Sequence, residues 1–200
     1  MLTKSPEEEK IDPRVKRTRV LIQQSFMDLL EKKEFRSITV QDITQKAEIN
    51  RATFYAHYTD KYALLEASIQ QLFRQELEKR TLNTCCISNQ NLHALIVTVC
   101  EFISRSNVHC KASDSQFETL VERQVRNQMQ DLLEIWLAQV SNGINMKTAA
   151  IAASWTIYGL ALQWSRERNH PSAEEYAYQI LPLITSNLQL KAGGVFSPVV

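Results

Sequence analysis

The side chains best suited to bind another molecule lie in residues 39–58, TVQDITQKAEINRATFYAHY. In a helix that begins after Asn50, Phe54 and Tyr58 fall on one face. The opposite face carries the polar and small residues Arg51, Ala52, Thr53, Tyr55, Ala56 and His57. Such a face suits the major groove of DNA, because short side chains permit close approach while polar ones reach base edges or phosphates. We predict that this face reads DNA.

Each of these polar groups also has an ordinary structural interpretation. Taken as single residues, Arg51 and His57 could belong to an ordinary solvated surface. Tyr55 could pack against the first helix. Within this motif we favour DNA contact for all three. Upstream, four basic residues form either a phosphate patch or a solvated face, and the sequence leaves both open: Arg14, Lys16, Arg17 and Arg19.

The chain offers little that would support catalysis. No glycine precedes Gly143, so glycine-rich phosphate loops and the GxSxG elbow are missing from that stretch. HExxH and paired Glu-x-x-His ligands are missing as well. The cysteines, including Cys110 beside His109, lack zinc-ligand spacing, although the sequence does not decide whether they sense redox state. We expect a protein that is not an enzyme and that has no metal and no cofactor.

The scarcity of glycine and proline also predicts an all-α fold. Hairpin turns favour glycine at positive φ, and no proline lies between Pro13 and Pro171. We predict a first helix from the N-cap Asp12 to about Lys33. Two short helices follow within residues 39–58, capped by Thr39 and Asn50, in the manner of a helix-turn-helix.

Apolar periodicity predicts five further helices. The fourth spans about 60–80, and the fifth follows a stripe over residues 92–103. A sixth begins with a capping box at Ser115 and stops by Gly143. The seventh, residues 146–168, is rich in alanine, and the last opens with a second capping box at Ser172 and should bend at Pro182.

These elements predict two domains. Residues 12–60 form the helix-turn-helix domain, linked through 60–80 to a domain for effector binding and dimerisation at 81–190, and the ends at 1–11 and 191–200 are expected to be flexible. Residues 14–61 hold ten Lys or Arg against six Asp or Glu, which suits a lobe facing phosphates. No apolar run reaches membrane-helix length, so we expect no membrane partner and a cytoplasmic location.

The amino-terminal region resembles the TetR family, whose pattern is approximately T-v-x-x-I-a-x-x-A-g-v-s-x-x-T-f-Y-x-y-F-x-x-K-x-x-L. The resemblance covers residues 12–75. The matching residues are Thr39, Val40, Ile43, Ala47, Ile49, Thr53, Phe54, Tyr55, Tyr58, Lys61 and Leu64 or Leu65. Glu48 stands where the family usually has glycine, so the turn either avoids positive φ or tolerates strain. The pair His57 and Tyr58 leaves the motif intact.

The resemblance implies a role for each matched position. Arg51, Ala52, Thr53 and Tyr55 would touch bases or the adjacent backbone. Phosphates would be bound by Thr39, His57 and Lys61. The implied partners are double-stranded DNA and a second copy of the chain, joined through the last two helices.

A small apolar or aromatic effector is implied as well, bound within the second domain. Four aromatic residues are candidates to line its pocket, although aromatics at helical spacing are more often core: Phe102, Trp136, Trp155 and Tyr158. We favour a repressor released from a near-palindromic operator by this effector. The alternative is a TetR-like activator or adaptor that works through a protein partner.

Overall fold

The computed structural model describes residues 12–80, 86–109, 115–139 and 145–188. In these ranges the chain forms α-helices, with one short 3-10 turn at Phe35–Ser37 and no strand, which confirms the all-α prediction. The helices are α1 (Pro13–Leu30), α2 (Val40–Lys46), α3 (Arg51–Tyr55), α4 (Lys61–Arg80), α5 (Asn89–His109), α6 (Ser115–Leu137), α7 (Met146–Arg166) and α8 (Ala173–Asn187).

The chain divides into two compact units. The amino-terminal unit comprises residues 2–69 together with 109–121, and the carboxy-terminal unit comprises residues 70–108 and 122–200. Helices α4 and α6 therefore contribute residues to both units. The grouping of residues 109–121 with the amino-terminal helices was not part of the predicted domain scheme, because nothing in their own sequence ties them to α1 or α4.

Local side-chain chemistry defines the starts of the helices in the amino-terminal unit. The Asp12 carboxylate accepts a hydrogen bond from the Arg14 backbone N–H, and Pro13 occupies the first turn of α1. Helix α1 ends at Leu30 rather than near Lys33. At the start of α4, the Asp60 carboxylate accepts from two backbone N–H groups, at 2.8 Å each.

The core of this unit is aromatic and aliphatic. Ile22 and Phe26 of α1 are completely buried, as are Ile43 of α2 and Phe54 of α3. Phe35, in the 3-10 turn, makes an edge contact with Phe26 at a centroid distance of 6.1 Å. This shared core holds two helices that are too short to be stable alone.

The carboxy-terminal unit is built on long helices with a continuous apolar core. Trp136 of α6 and Leu95 of α5 are completely buried, and so are the small residues Ala150 and Ala153 of α7. Phe73 of α4 meets Phe102 of α5 edge-on at 5.2 Å. The alanines of α7 thus contribute to the core, and small side chains of this kind permit close helix approach.

One further predicted helix boundary differs from the structure by two residues, and one predicted capping box lies outside the described side chains. Helix α7 ends at Arg166, two residues before the predicted end. The capping box of Ser172 and Glu175 is present, and α8 continues on both sides of Pro182 to Asn187. The box predicted at Ser115 involves a side chain outside the described part of the chain. Within the described residues, no helix is both long and apolar enough to cross a membrane.

Candidate nucleic-acid interface

The start of helix α2 is fixed by hydrogen bonds between its N-cap residue, Thr39, and Asp42 in its first turn. At its start, the Thr39 hydroxyl accepts from the Asp42 N–H at 3.1 Å while the Asp42 carboxylate accepts from the Thr39 N–H at 2.8 Å. The Thr39 hydroxyl, the Thr39 N–H and then the Lys33 ammonium donate to the Asp42 carboxylate, and these bonds lower the pKa of Asp42 from 3.8 to about 2. Helix α2 thus starts at a defined place, immediately after the 3-10 turn.

The turn between α2 and α3 uses the left-handed backbone conformation. Glu48 has a φ of 53°. The Ile49 N–H donates to the Thr44 carbonyl at 3.0 Å and the Glu48 N–H to the Gln45 carbonyl at 3.3 Å. This is the Schellman arrangement, in which glycine usually occupies the left-handed position. Of the two possibilities left by the sequence, the chain adopts the strained one.

Helix α3 presents the predicted reading face. The Asn50 side chain caps it by accepting from the Thr53 N–H at 2.7 Å. Phe54 is completely buried and Tyr58 nearly so, which anchors the helix. Arg51, Ala52 and Ala56 are exposed, and so is Tyr55, whose ring also meets Phe54 edge-on at 5.5 Å. The exposed residues of α3 are therefore held on a fixed support.

Two of the predicted contacts already have hydrogen-bond partners within the chain. The Thr53 hydroxyl donates to the Asn50 carboxamide oxygen at 2.9 Å, and the Thr39 hydroxyl donates to the Asp42 carboxylate at 2.7 Å. Each hydroxyl keeps acceptor capacity in this arrangement, but a phosphate requires a donor. Either hydroxyl would have to break its present hydrogen bond before it could donate to a phosphate.

His57 is half-buried beside the basic side of α1. Burial, and secondly the positive charge of Arg19, lower the pKa of His57 below its ordinary value of 6.5. The imidazole is therefore neutral at pH 7 and would contact a phosphate as a neutral N–H donor. Arg19 also acts on Tyr58, whose pKa burial raises. Of the four basic residues of α1, Arg19 is thus shown to lie near the end of α3.

The Lys61 ammonium is held by the chain itself. Its Nζ donates to the carbonyl oxygens of Phe35, Arg36 and Ile38 at 3.0, 3.1 and 2.9 Å, and it lies 4.6 Å from the centre of the Phe35 ring. Three carbonyls match the three hydrogens of an ammonium group. A phosphate contact by Lys61 stays a prediction, and it would require one of these bonds to break.

Gln41 belongs to this surface and was missed in the sequence. Arg51 Nη2 donates to Gln41 Oε1 at 2.9 Å, and both side chains are exposed. The bond links the second residue of α2 to the first residue of α3. An exposed glutamine on a short helix carries no distinctive signal, so only the placement of the two helices reveals the pair.

The four residues predicted to line an effector pocket differ in burial. Phe102, Trp136 and Tyr158 are buried in the carboxy-terminal unit. Trp155 is 52% exposed, and the Arg126 guanidinium lies over its ring at 3.5 Å from the centroid. The position of Trp155 on the surface suits an interface better than an interior pocket.

Cysteine and metal chemistry receive little support from the described residues. Burial raises the pKa of the Cys100 thiol to about 12, which keeps it protonated at neutral pH, while Cys86 is exposed. Among the residues described, no cluster of three or more His, Cys, Asp or Glu side chains is arranged to hold a metal ion. Cys85 and Cys110 lie outside the described residues, as does the side chain of His109.

Comparisons with known proteins agree with this geometry. The family model described as bacterial regulatory proteins, tetR family, matches residues 27–68. The uncharacterized HTH-type transcriptional regulator YxbF of Bacillus subtilis (strain 168) is 45% identical over 76 residues, which are 38% of this chain. The matched stretch spans only 20% of the length of that relative.

Solved structures extend the likeness to most of the chain. Thermus thermophilus FadR, a TetR family repressor in complex with lauroyl-CoA, has a TM-score of 0.58 at 16% identity over 90% of this chain and 99% of its own. A tetR-family transcriptional regulator from Streptomyces coelicolor has a TM-score of 0.57 at 16% identity, over 86% and 82%. Identities this low show the fold alone. Residues 27–68 therefore resemble the helix-turn-helix of bacterial regulatory proteins of the tetR family, and the solved structures extend this likeness in fold alone.

Proposed function

We propose that this protein is a homodimeric repressor that binds a near-palindromic operator through α3 and leaves it when a small molecule binds the carboxy-terminal unit. The observation that carries the proposal is the exposed face of α3, where Arg51 and Tyr55 project from a capped and anchored helix. Because its target would be chromosomal DNA, we place the protein in the cytoplasm.

DNA reading can be tested with a matched pair of arginine variants. Arg51→Ala removes a guanidinium from the reading face, and Arg168→Ala removes an equally charged, exposed residue between α7 and α8. We expect the first to cost about 1 to 3 kcal/mol in operator binding and to relax base preference at one position. The second should leave binding unchanged. Equal operator binding by wild type and Arg51→Ala would refute this reading face.

The exposed apolar residues of α7 and α8 support dimerisation. Trp155 is 52%, Tyr178 67% and Leu183 49% exposed in the single chain. Between the two helices, the Asn187 amide donates to the Thr156 hydroxyl at 3.3 Å. Large apolar side chains exposed together indicate an interaction site, and two helices from each protomer would form a four-helix interface.

Dimerisation can be tested by adding charge to this surface. Leu183→Glu should give a folded monomer, because the side chain is half-exposed and its charge is unfavourable only when a partner covers it. Val20→Glu is the matched control, since Val20 is 52% exposed but lies on α1. Sedimentation at micromolar concentration measures both. A wild-type monomer, or a Leu183→Glu dimer, would contradict the proposed interface.

The effector proposal rests on the apolar interior of the carboxy-terminal unit, to which Phe102, Trp136 and Tyr158 contribute. The Thermus FadR structure contains lauroyl-CoA, so acyl thioesters are the first compounds to test. A coupling of about 1 to 3 kcal/mol would lower operator affinity roughly 5 to 150-fold.

Linkage provides the test of this effector mechanism. Operator DNA must weaken binding of the compound by the same factor by which the compound weakens binding of DNA. Tryptophan fluorescence follows the compound, since all three tryptophans lie in residues 122–200, and a mobility shift follows the DNA. A compound that saturates the fluorescence change without altering DNA affinity is not an inducer. Failure across apolar and aromatic compounds would favour regulation through a protein partner.

A further inference from the structure

The hydrogen bond between Gln41 and Arg51 gives the reading face a second residue that determines specificity. We propose that the two side chains act as one unit, which selects a guanine next to a second base whose exocyclic group in the major groove is an acceptor. That second base would be guanine or thymine rather than adenine or cytosine. The inference rests on the proposed DNA-binding function and adds the class of sequence that the protein recognises.

The geometry fixes the direction in which the Gln41 amide points. Arg51 Nη2 donates to Gln41 Oε1 at 2.9 Å. A guanidinium only donates hydrogen bonds, so the amide oxygen must face Arg51 and the amide nitrogen must point elsewhere. Within the part of the chain that the structure describes, no acceptor lies within hydrogen-bond distance of that nitrogen. Its two N–H groups are available to an external acceptor.

The pair is therefore rich in donors. Arg51 keeps four of its five N–H groups, and Gln41 adds two more, whereas the acceptor in the pair is the Gln41 oxygen that already bonds to Arg51. Guanine offers two acceptors in the major groove, N7 and O6, and thymine offers O4. Adenine also offers the acceptor N7, but its exocyclic N6, like cytosine N4, is a donor. That donor would face a positively charged pair whose acceptor is already bonded to Arg51. The pair therefore favours guanine and thymine, whose exocyclic oxygens O6 and O4 are acceptors.

Without this bond, Gln41 would have a different preference. A glutamine usually reads adenine in bidentate fashion, accepting from N6 and donating to N7. Sharing its oxygen with a cation disfavours the first of these bonds. The bond also restrains a long arginine side chain before DNA arrives, so less rotamer freedom is lost on binding. Gln41 is thus both a base-reading residue and a positioning residue for Arg51.

The test is selection of bound fragments from random duplex DNA by wild type, Gln41→Ala, Gln41→Glu and, as control, Gln71→Ala. Gln71 is an exposed glutamine on α4 outside the amino-terminal unit. Wild type and Gln71→Ala should select the same half-site, with guanine beside guanine or thymine. Gln41→Ala should lose base preference at both positions and about tenfold in operator affinity, while binding to random DNA is unchanged because no charge is removed.

Gln41→Glu replaces the amide donors of residue 41 with acceptors. It therefore distinguishes a change in base preference from a general loss of DNA binding. Its carboxylate offers only acceptors, so the preferred second base should change to cytosine, the usual partner of an acidic side chain. A half-site with adenine at the second position, or the same half-site from wild type and Gln41→Ala, would overturn the inference while leaving DNA binding intact. If wild type selects no sequence, or Arg51→Ala selects the wild-type site, the proposed function itself fails.

Discussion

Lys61 lies at the first position of α4, but its hydrogen bonds go to the connection between α1 and α2. The carbonyls of Phe35, Arg36 and Ile38 all accept from its ammonium group. Residue 39, which caps α2, follows directly after Ile38. Lys61→Met keeps most of the aliphatic stem and removes the donors, so it tests whether this ammonium stabilises the helix-turn-helix or contacts a phosphate.

The magnitude follows from the surroundings of the three carbonyls. The bonds to Phe35 and Ile38 are partly buried, and the bond to Arg36 is exposed. A carbonyl left unsatisfied when buried costs about 1 to 3 kcal/mol, and an exposed one can bond to water instead. Taking the lower end, about 1 kcal/mol, for each of the two partly buried groups, and adding about 0.5 to 1 kcal/mol for the contact with the Phe35 ring, gives about 2.5 to 3 kcal/mol.

Two measurements separate the two roles. Urea unfolding should show Lys61→Met destabilised by about 2.5 to 3 kcal/mol, and Lys32→Met, which changes an exposed lysine after α1, nearly unaffected. In DNA binding, loss of a phosphate contact would make the slope of log affinity against log salt shallower by about 0.9 per contact. If Lys61 acts only on these carbonyls, the slope does not change. Normal stability combined with a shallower slope would refute this assignment and support a direct phosphate contact.

Three further predictions concern single residues. Glu48→Gly should stabilise the protein by about 1 kcal/mol, because glycine has no steric penalty at the observed φ of 53°; Glu34→Gly, at a φ of −62°, should not, and urea unfolding compares them. The pKa of Asp42 is lowered to about 2, so its stabilising effect is present above about pH 4 and lost as the pH falls toward 2. Acid unfolding of Asp42→Asn should lack that component, and an unchanged acid profile would contradict it. Iodoacetamide at pH 8 should label exposed Cys86 well before Cys100, whose pKa is about 12; equal rates by peptide mapping would show that Cys100 is accessible.

The features that the sequence predicted well depend on neighbouring residues. Asp12, Thr39, Asn50 and Ser172 each cap a helix as expected, because a cap needs only its own side chain and the next three backbone groups. The anchoring of α3 by Phe54 follows from helical periodicity in the same way. Local chemistry thus predicted the presence of the helix-turn-helix and the face that it exposes.

The features that the sequence did not predict depend on residues brought together from a distance. Lys61 and Phe35 are 26 positions apart, and Gln41 and Arg51 are ten apart across a turn. The identity of Lys61 is compatible with both a phosphate contact and a structural one. The three nearby carbonyls favour the structural role, and the unfolding and salt-dependence measurements test it. Resemblance to a family identifies which positions matter, but it does not tell whether a side chain acts on DNA or on its own chain.

The tryptophans of the carboxy-terminal unit show that sequence periodicity does not predict which aromatic residues are buried and which are exposed. Trp136 and Trp155 both fit an apolar stripe, yet the first is completely buried and the second is 52% exposed beneath Arg126. Helix α7 is rich in alanine, so its sequence does not show which of its faces is buried, and the structure buries Ala150 and Ala153 while Trp155 is exposed. Because Arg126 covers one side of the Trp155 ring, the remaining exposed area is available to a partner helix. This position connects Trp155 to the proposed dimer interface, and leaves Phe102, Trp136 and Tyr158 as the residues on which the effector proposal depends.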